Sequence, residues 1–409
     1  MGSGPDVVVV GAGVAGLLCA AELESRGLDV RVFERAGHVG GRIRTEQIDG
    51  FLCDVGFQLL NPAYPQVKRT VDLPALGLQQ FAAGVRVDRD DRSVVLADPR
   101  RAPGLLWSTL RSGLLDVRDI LGLVRWITPT LIAPQKAIRT ADQALAQSWD
   151  AVGVKGRLRR EVLEPFLSGV LADDPSEASA HFVRLLIRSF LLGTPGLPRG
   201  GMQALPGQLA HRLRTPVETG TEVVAVGPGP VVRTAEGSVA ARTVVIATDL
   251  PAAAALDLAP ARPSGGLTTW WFSTPLGLPQ DRLLCVDGRR GPVVNTAVVS
   301  AAAPSYAPPG RDLVQLTTLS TADLTDAQAL AEAGRLWHTD TAPWDLLVRH
   351  DVRNALPLTR APLPIRRPVA QTDGLFVCGD HQDTPSTQGA LASGHRTAQA
   401  AARFLGLDP

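Results

Sequence analysis

The sequence predicts an α/β fold: a parallel sheet assembled from separate stretches of chain, with an α+β portion inserted between them. Three observations predict it. A β-branched run, Val7-Val8-Val9-Val10, enters a glycine-rich turn and then a helical pattern. Runs of the same kind recur far along the chain, at Thr243-Val244-Val245-Ile246-Ala247-Thr248-Asp249 and at Leu375-Phe376-Val377. Continuous apolar runs of this length are what a parallel strand covered on both faces requires. The intervening stretches carry other patterns, helical near 76–196 and mixed strand and helix near 260–360.

The first element is the most informative. Val7–Val10 leads into Gly11-Ala12-Gly13-Val14-Ala15-Gly16, a helical pattern runs from Leu17 to Arg26, and Gly27 stops it. A second strand, Val30-Arg31-Val32-Phe33, ends at Glu34. This is a Rossmann-type βαβ unit with G-x-G-x-x-G in its first turn and an acid 18 positions after the last glycine. Gly11 permits the tight turn, Gly13 lets backbone approach a pyrophosphate, and Gly16 lets helix and strand pack closely. Val14 and Ala15 lie between these glycines as candidate cofactor-binding residues, and the N-terminal N–H groups of the helix that follows favour an anion. Glu34, followed by Arg35, offers hydrogen-bond acceptors to a ribose. The unit points to an adenine dinucleotide.

Composition bounds the rest. The chain has 409 residues, room for two or three domain-sized units, with 45% apolar and 20% charged residues. That is globular composition. A net charge of +1 leaves no broad basic footprint for nucleic acid. Cys19, Cys53, Cys285 and Cys378 are far apart, so neither a zinc site nor a disulfide framework is expected. No uncharged run reaches the roughly 18–20 residues of a membrane span, and no basic region precedes an apolar stretch as in a secretory signal. No i, i+4 histidine pair suggests a metal, and no G-x-S-x-G suggests a hydrolase. The expected location is cytoplasmic, with peripheral contact to the inner face of the membrane left open.

Gly40-Gly41-Arg42-Ile43-Arg44-Thr45 follows Glu34 closely, supplying a second backbone approach and a planar donor fork for phosphate oxygens. Cys53-Asp54-Val55-Gly56-Phe57-Gln58 comes next. With these residues the segment resembles the amino-terminal FAD signature of the flavin amine oxidase, protoporphyrinogen oxidase and phytoene desaturase superfamily. The resemblance implies that the G-G-R stretch lies along FAD and that Gly56, Phe57 and Gln58 approach the flavin ring. Leu197-Pro198-Arg199-Gly200-Gly201-Met202-Gln203-Ala204-Leu205-Pro206 resembles the superfamily's return from the substrate domain. It also implies that Val223, in a strand expected over 221–226, meets the adenine through its backbone. The turn Gly227-Pro228-Gly229-Pro230 follows that strand. Near the carboxy terminus, Cys378-Gly379-Asp380 and Ser386-Thr387-Gln388-Gly389-Ala390 resemble the second FAD motif. Asp380 is expected to accept ribityl or phosphate-side hydrogen bonds. The N–H groups of Gln388, Gly389 and Ala390 are expected to face the flavin N1/C2=O edge, where negative charge gathers on reduction.

The implied organisation is an FAD-binding domain of residues 1–75, 197–258 and 362–409. The substrate-binding domain is 76–196 and 259–361, its first part mainly helical. Val348 to Leu356 resembles the family segment returning to the FAD domain, and 251–263 and 301–309 read as surface connections.

A flavin takes a hydride or its equivalent at N5. No second dinucleotide fingerprint is present, so the substrate itself is expected to supply the electrons. Amine oxidases of the superfamily commonly carry a lysine near N5, but this sequence has none after Lys155. Trp270, Trp271, Trp337 and Trp344 read either as a pocket wall or as core. Leu106, Leu110, Leu114, Val117, Leu121 and Val124 form a helical stripe that suits a greasy ligand, a membrane surface or the protein's own core. His381, beside the flavin motif and followed by Asp383, reads as an acid/base or as a loop hydrogen-bond partner. Gln58 is the second catalytic candidate, and His38 reads as serving the FAD loop. Cys53 is near the flavin, but the family's tethering cysteines sit elsewhere, so non-covalent FAD is expected.

The expected function is two-electron oxidation or desaturation of a bulky, largely apolar small molecule, with oxygen or a quinone as acceptor. The alternatives are an amine oxidase without the lysine, a redox-neutral flavin isomerase, and a non-catalytic prenyl-binding protein of the same fold.

Overall fold

The computed structural model describes residues 4–89, 92–98, 100–227, 229–256, 262–372 and 374–407. Pro228 of the expected turn and residues 257–261 of the expected connection lie outside them. One sheet has six strands in the order Ala370–Thr372, Leu375–Val377, Thr243–Ile246, Val7–Val10, Val30–Glu34, Glu218–Thr219. All its pairings are parallel except at the Ala370–Thr372 edge. Val7 to Val10 are at most 4% exposed, which is why four valines in a row suit the central strand.

The helix after the glycine turn runs Val14–Glu24, three residues earlier than the apolar pattern suggested. Gly13 caps it in an extended conformation, so the helix begins as soon as the turn is complete. Ser25 and Arg26 close it with tight backbone bonds, and Gly27 sits at φ 88°. The helix is buried on nearly every face because the carboxy-terminal helix Thr387–Phe404 packs on it. A Cβ on Gly394 would lie 2.4 Å from the Ala15 carbonyl oxygen, so glycine sets how closely these helices meet.

The expected strand at 221–226 forms as Val223–Gly227, and it leaves the parallel sheet. It pairs antiparallel with Val231–Thr234, which pairs with Gly237–Ala240.

The second sheet has seven strands in the order Asp345–Pro357, Ser264–Pro275, Arg311–Leu319, Val293–Val298, Leu284–Asp287, Gly84–Asp88, Ser93–Ala97. The helix Asp326–Trp337 packs on one face through Ala329, Ala333, Leu336 and Trp337, against Trp270 and Phe272. Glu164–Leu171 and Ala180–Leu192 belong to a separate helical core with Trp126 and Trp149.

The apolar stripe at 106–124 is not one helix. It breaks at Gly113, with φ 68°, and Asp116 caps a new helix, Val117–Ile132, by accepting the Arg118 N–H. Of the six stripe positions only Leu114 is buried. Val117 is 71% exposed and Leu121 64%. The helix turns its other side inward: Gly122 approaches the Val152 carbonyl, and the Trp126 indole donates to Ser148. Buried Asp119 accepts the N–H groups of Lys155 and Gly156. The reading of this stripe as the protein's own core is therefore overturned, because specific polar and aromatic contacts outcompeted the more apolar face.

Candidate functional site

The site starts at the glycine turn. Gly11 holds φ 104°, and a Cβ there would lie 2.9 Å from the Ala247 carbonyl oxygen. Gly16 is tighter, since a Cβ would stand 2.1 Å from the Gly11 carbonyl oxygen. Gly13 differs: nothing in the protein lies within 4 Å of a Cβ built on it. Two of the glycines thus serve packing, and the middle one borders open space. The first intrahelical bond at this end is from the Leu17 N–H to the Gly13 carbonyl, and no side chain caps the turn. The N–H groups of Val14 to Gly16 are left for an anion.

A second glycine pair closes on the first. Gly13 and Gly40 form a parallel bridge, and a Cβ on Gly41, at φ 59°, would lie 3.5 Å from the Gly13 Cα. Glu34 braces the turn: its two carboxylate oxygens accept the Ala12 and Ala36 N–H groups at 2.8 and 2.9 Å. Lone pairs remain on both oxygens, and Glu34 with Arg35 also lines the cavity described below.

Arg42 then reaches across the chain. Its guanidinium donates to Asp380 at 2.7 Å and to the Ala355 carbonyl at 2.6 Å. Burial alone would raise the Asp380 pKa, but the Arg42 charge overrides it and holds the carboxyl at about 2. Residues 338 positions apart in sequence therefore form one ion pair, with the Asp380 side chain 5% exposed.

Gln58 is spent on its own loop, donating to the carbonyls of Arg42 at 2.7 Å and Val55 at 3.1 Å. Beneath that loop lies a hub the sequence reading passed over. Asp54 accepts from the Thr45 hydroxyl, the Met202 N–H and the Tyr306 hydroxyl. Its carbonyl accepts from the Trp271 indole. Asp54 thus ties the Cys53–Gln58 loop to the 197–206 stretch and to the second sheet. Burial pushes its pKa up to about 6 against these three donors. The only signal in sequence was the D-x-G pattern itself.

The carboxy-terminal motif departs from expectation. Ser386 caps the helix Thr387–Phe404 by accepting the Gly389 N–H, and the Ala390 N–H bonds to the Ser386 carbonyl. Two of the three N–H groups expected to face the flavin edge thus have partners inside the motif. The Gln388 side chain accepts the Gln66 N–H instead. Ser386, Thr387 and Ala390 line the large cavity, whereas Gln388 and Gly389 do not. His381 does not line it either. Its ring lies beside Gly379 and borders a separate cavity of about 170 Å³ among Arg262, Arg360 and Arg367. His38 stays in the loop, facing Val39 and Arg44.

The large cavity, about 1520 Å³, is continuous from the glycine turns to the second sheet. Gly11, Gly13, Val14, Ala15, Gly40, Gly41, Arg42, Gly56, Phe57, Gln58, Val223, Gly379 and Asp380 line one end. Gly16 does not, as its packing contact dictates. The other end is walled by Phe81, Phe166, Phe182, Leu186, Ile187 and Phe190. No tryptophan and no lysine lines it among the described residues. Trp270, Trp271, Trp337 and Trp344 are all core, their rings buried and three of their indoles bonded inside the protein. The pocket-wall reading of these residues is corrected: Trp270 and Trp271 sit on a strand covered on both faces, and Trp337, from the helix packed on that sheet, and Trp344 join the same core as Trp270. Tyr64 does line the cavity, and burial pushes its hydroxyl up to about 12. The Cys53 thiol is 0% exposed, and burial raises its pKa, so it is no accessible nucleophile.

Comparison with known proteins places the chain in a family. Protoporphyrinogen oxidase 2 of Arabidopsis thaliana is 32% identical over 187 residues, 43% of this chain and 34% of that protein. Putrescine oxidase of Kocuria rosea is 28% identical over 227 residues, 51% of this chain and 46% of that one. The 4,4'-diapophytoene desaturase of Staphylococcus aureus (strain bovine RF122 / ET3-1) is 36% identical over 99 residues, 22% and 20% of the two chains. Each match spans less than half of the relative's length. Among solved structures, an oxidoreductase from Methanosarcina mazei superposes with a TM-score of 0.74 at 18% identity, covering 95% of this chain and 99% of the other. Cyclohexylamine oxidase from Brevibacterium oxydans IH-35A gives 0.70 at 17%, covering 98% and 100%. These two share the fold. The profile of the flavin containing amine oxidoreductases matches residues 14–402, and the chain belongs to that family of flavin-dependent oxidoreductases.

Proposed function

We propose that the chain binds FAD non-covalently and oxidises or desaturates a bulky, largely apolar small molecule, passing the electrons to oxygen or a quinone. The observation that carries this reading is the single cavity of about 1520 Å³ with two unlike ends. Ligand pockets for one small molecule run to roughly 300–1,000 Å³, so there is room for a dinucleotide and a second molecule. The residues fit FAD. Gly13 and Gly41 leave backbone room for a pyrophosphate, Val14 and Ala15 at the helix start border that room, and Glu34 and Val223 line the same cavity as the candidate partners of ribose and adenine. When bound, the flavin accepts a hydride equivalent at N5. Residues 1–75, 197–258 and 362–409 would form the FAD-binding domain, and 76–196 with 259–361 the substrate domain.

The chain's own groups bind, orient and exclude water. Arg42 and Asp380 neutralise one another, so the pair would add little net charge beside a bound flavin. Gln58 fixes the Arg42–Val55 loop, and the phenylalanine wall keeps the far end dry. An amine cation would find little there. The acid on that wall is Asp98, held by Arg100 and Arg101. An amine oxidase is the lesser reading. Its test is anaerobic bleaching of the bound flavin by porphyrinogens, polyenes or amines. Bleaching by an apolar compound but not by amines supports the reading, and bleaching by amines alone refutes it.

The outward stripe gives this reading a second part, contact with an anionic membrane surface. Trp107, Leu110, Val117, Leu121, Val124 and Ile132 are 54–78% exposed, and residues 101–140 hold six basic side chains against two acidic. Ile120 and Val124 also line the cavity, so its mouth opens on this face. Apolar residues interleaved with basic ones suit an interfacial position. No described helix is long and apolar enough to cross a membrane. Co-sedimentation with phosphatidylglycerol vesicles, but not with phosphatidylcholine vesicles, is expected. Equal recovery with both, or with neither, contradicts this part.

A further inference from the structure

The apolar end of the cavity holds one polar side chain that the reading above does not use. Asn295 lies on Val293–Val298, beside a shift in the pairing with Arg311–Leu319. It is 7% exposed and lines the cavity next to Gly169. A Cβ on Gly169 would stand 2.4 Å from the Asn295 side-chain nitrogen, so glycine keeps that nitrogen clear.

A buried relay fixes which way the amide faces. The Gln315 Nε2 donates to the Asn295 Oδ1 at 3.0 Å, the Thr317 hydroxyl donates to the Gln315 Oε1 at 3.0 Å, and the Thr269 and Thr317 hydroxyls lie 2.9 Å apart. Thr269, Gln315 and Thr317 are at most 1% exposed. With Thr269 donating to Thr317, every hydroxyl hydrogen has an acceptor. Turning both amides over would reverse the chain and strand the Thr269 hydrogen, whose oxygen has no second partner. An unmet buried donor costs about 1–3 kcal/mol, which selects the first arrangement. The Asn295 oxygen is therefore occupied from behind, and its NH2 group, which has no hydrogen-bond partner, is presented to the cavity.

We propose that Asn295 is a specificity-determining donor that orients the substrate through a neutral carbonyl-type oxygen. The inference rests on the proposed function and names its substrate class: an apolar body bearing one such acceptor. The cations lining this end of the cavity, Arg100 and Arg101, are already paired with Asp98, so a carboxylate would be buried without a free counter-charge, and an ammonium would meet another donor. A carbonyl loses little on leaving water when the amide receives it. An analogue without that oxygen leaves the NH2 unmet, and this asymmetry gives discrimination.

The test uses flavin-loaded protein and four compounds of matched shape: 2-acetylnaphthalene, 2-ethylnaphthalene, 2-naphthoate and 2-(aminomethyl)naphthalene. Binding is read from the perturbed flavin absorbance. Wild type is expected to prefer the acetyl compound over the ethyl compound by roughly tenfold. Asn295→Leu and Gly169→Ala should remove that preference and leave ethyl binding unchanged. Asn295→Asp keeps the bond from Gln315 but presents an acceptor, and should shift preference to the aminomethyl compound. Equal binding of acetyl and ethyl compounds by wild type overturns the proposal, as does an unchanged preference in all three variants. A uniform loss across the four compounds also overturns it, since that marks a merely structural residue. A protein that takes up no flavin instead refutes the underlying functional reading.

Discussion

The two ends of the cavity solve opposite problems. At the glycine end the charges of Arg42 and Glu34 are answered within the chain: Arg42 by Asp380, Glu34 by two backbone N–H groups. At the phenylalanine end the charges, Asp98 with Arg100 and Arg101, are spent on one another, and shape with one oriented amide must discriminate. Compensated charge holds geometry at low dielectric cost, whereas an apolar wall tolerates change in size but not an unmet polar group. Damage to the buried ion pair at the first end should thus cost folding and flavin together. Damage at the second should cost substrate binding or selectivity and leave flavin in place.

The largest effect should come from Arg42→Met. It strands the buried Asp380 carboxylate, a loss of about 3–5 kcal/mol, and abolishes flavin retention. Adding Asp380→Leu should restore most of the stability in denaturant titrations, but not the flavin. Recovery of both would mean that the pair has no role in binding.

The Asp54 hub comes next and has a pH signature. Its folded pKa, raised to about 6 by burial, exceeds an unfolded value near 3.9. The protonated form is thus favoured by folding. This stabilisation is fully present below pH ~4 and is lost as pH rises through ~6, a change on the order of 3 kcal/mol. Unfolding curves between pH 4 and 7 should show that slope in wild type and lose it in Asp54→Asn. Parallel curves would contradict the assignment.

The glycines divide more finely. Gly16→Ala drives a Cβ into the Gly11 carbonyl and should lower stability by about 1–3 kcal/mol. Gly13→Ala meets no protein atom, so its thermal midpoint without flavin should stay nearly unchanged while flavin affinity drops at least tenfold. If both variants behave alike, Gly13 is only a packing residue.

The smallest change belongs to the far wall. The Phe166 and Phe190 rings lie 5.4 Å apart, edge to face. Phe190→Ala should raise KM for an identified apolar substrate about tenfold, with flavin content and spectrum unchanged. Lost flavin would erase the contrast between the two ends.

How much of this could be read from residue order depended on how local the cause was. The Val7–Glu34 unit is legible because strand, turn, helix and acid are contiguous and each residue type has one stereochemical job. The carboxy-terminal motif was legible as a motif, but not in its details. That Ser386 takes the Gly389 N–H, or that His381 turns to another cavity, depends on loop packing that leaves no periodic signal. The tryptophans of Ser264–Pro275 could not be assigned to wall or core, since a strand covered on both faces shows no polar alternation. The 106–124 stripe misled because a stronger apolar pattern lost to Trp126–Ser148 and Asp119 contacts that only the tertiary fold creates. Asn295 was invisible for the same reason: its meaning lies in Gln315, Thr317 and Thr269 on neighbouring strands.

The central claim is that the Arg42 and Asp380 ends of the chain close around one releasable FAD. Acid precipitation of the purified yellow protein tests it most directly. One FAD per chain should appear in the supernatant, identified by its adenylate moiety. A colourless protein that cannot be reconstituted, FMN in place of FAD, or flavin that stays with the pellet would contradict it.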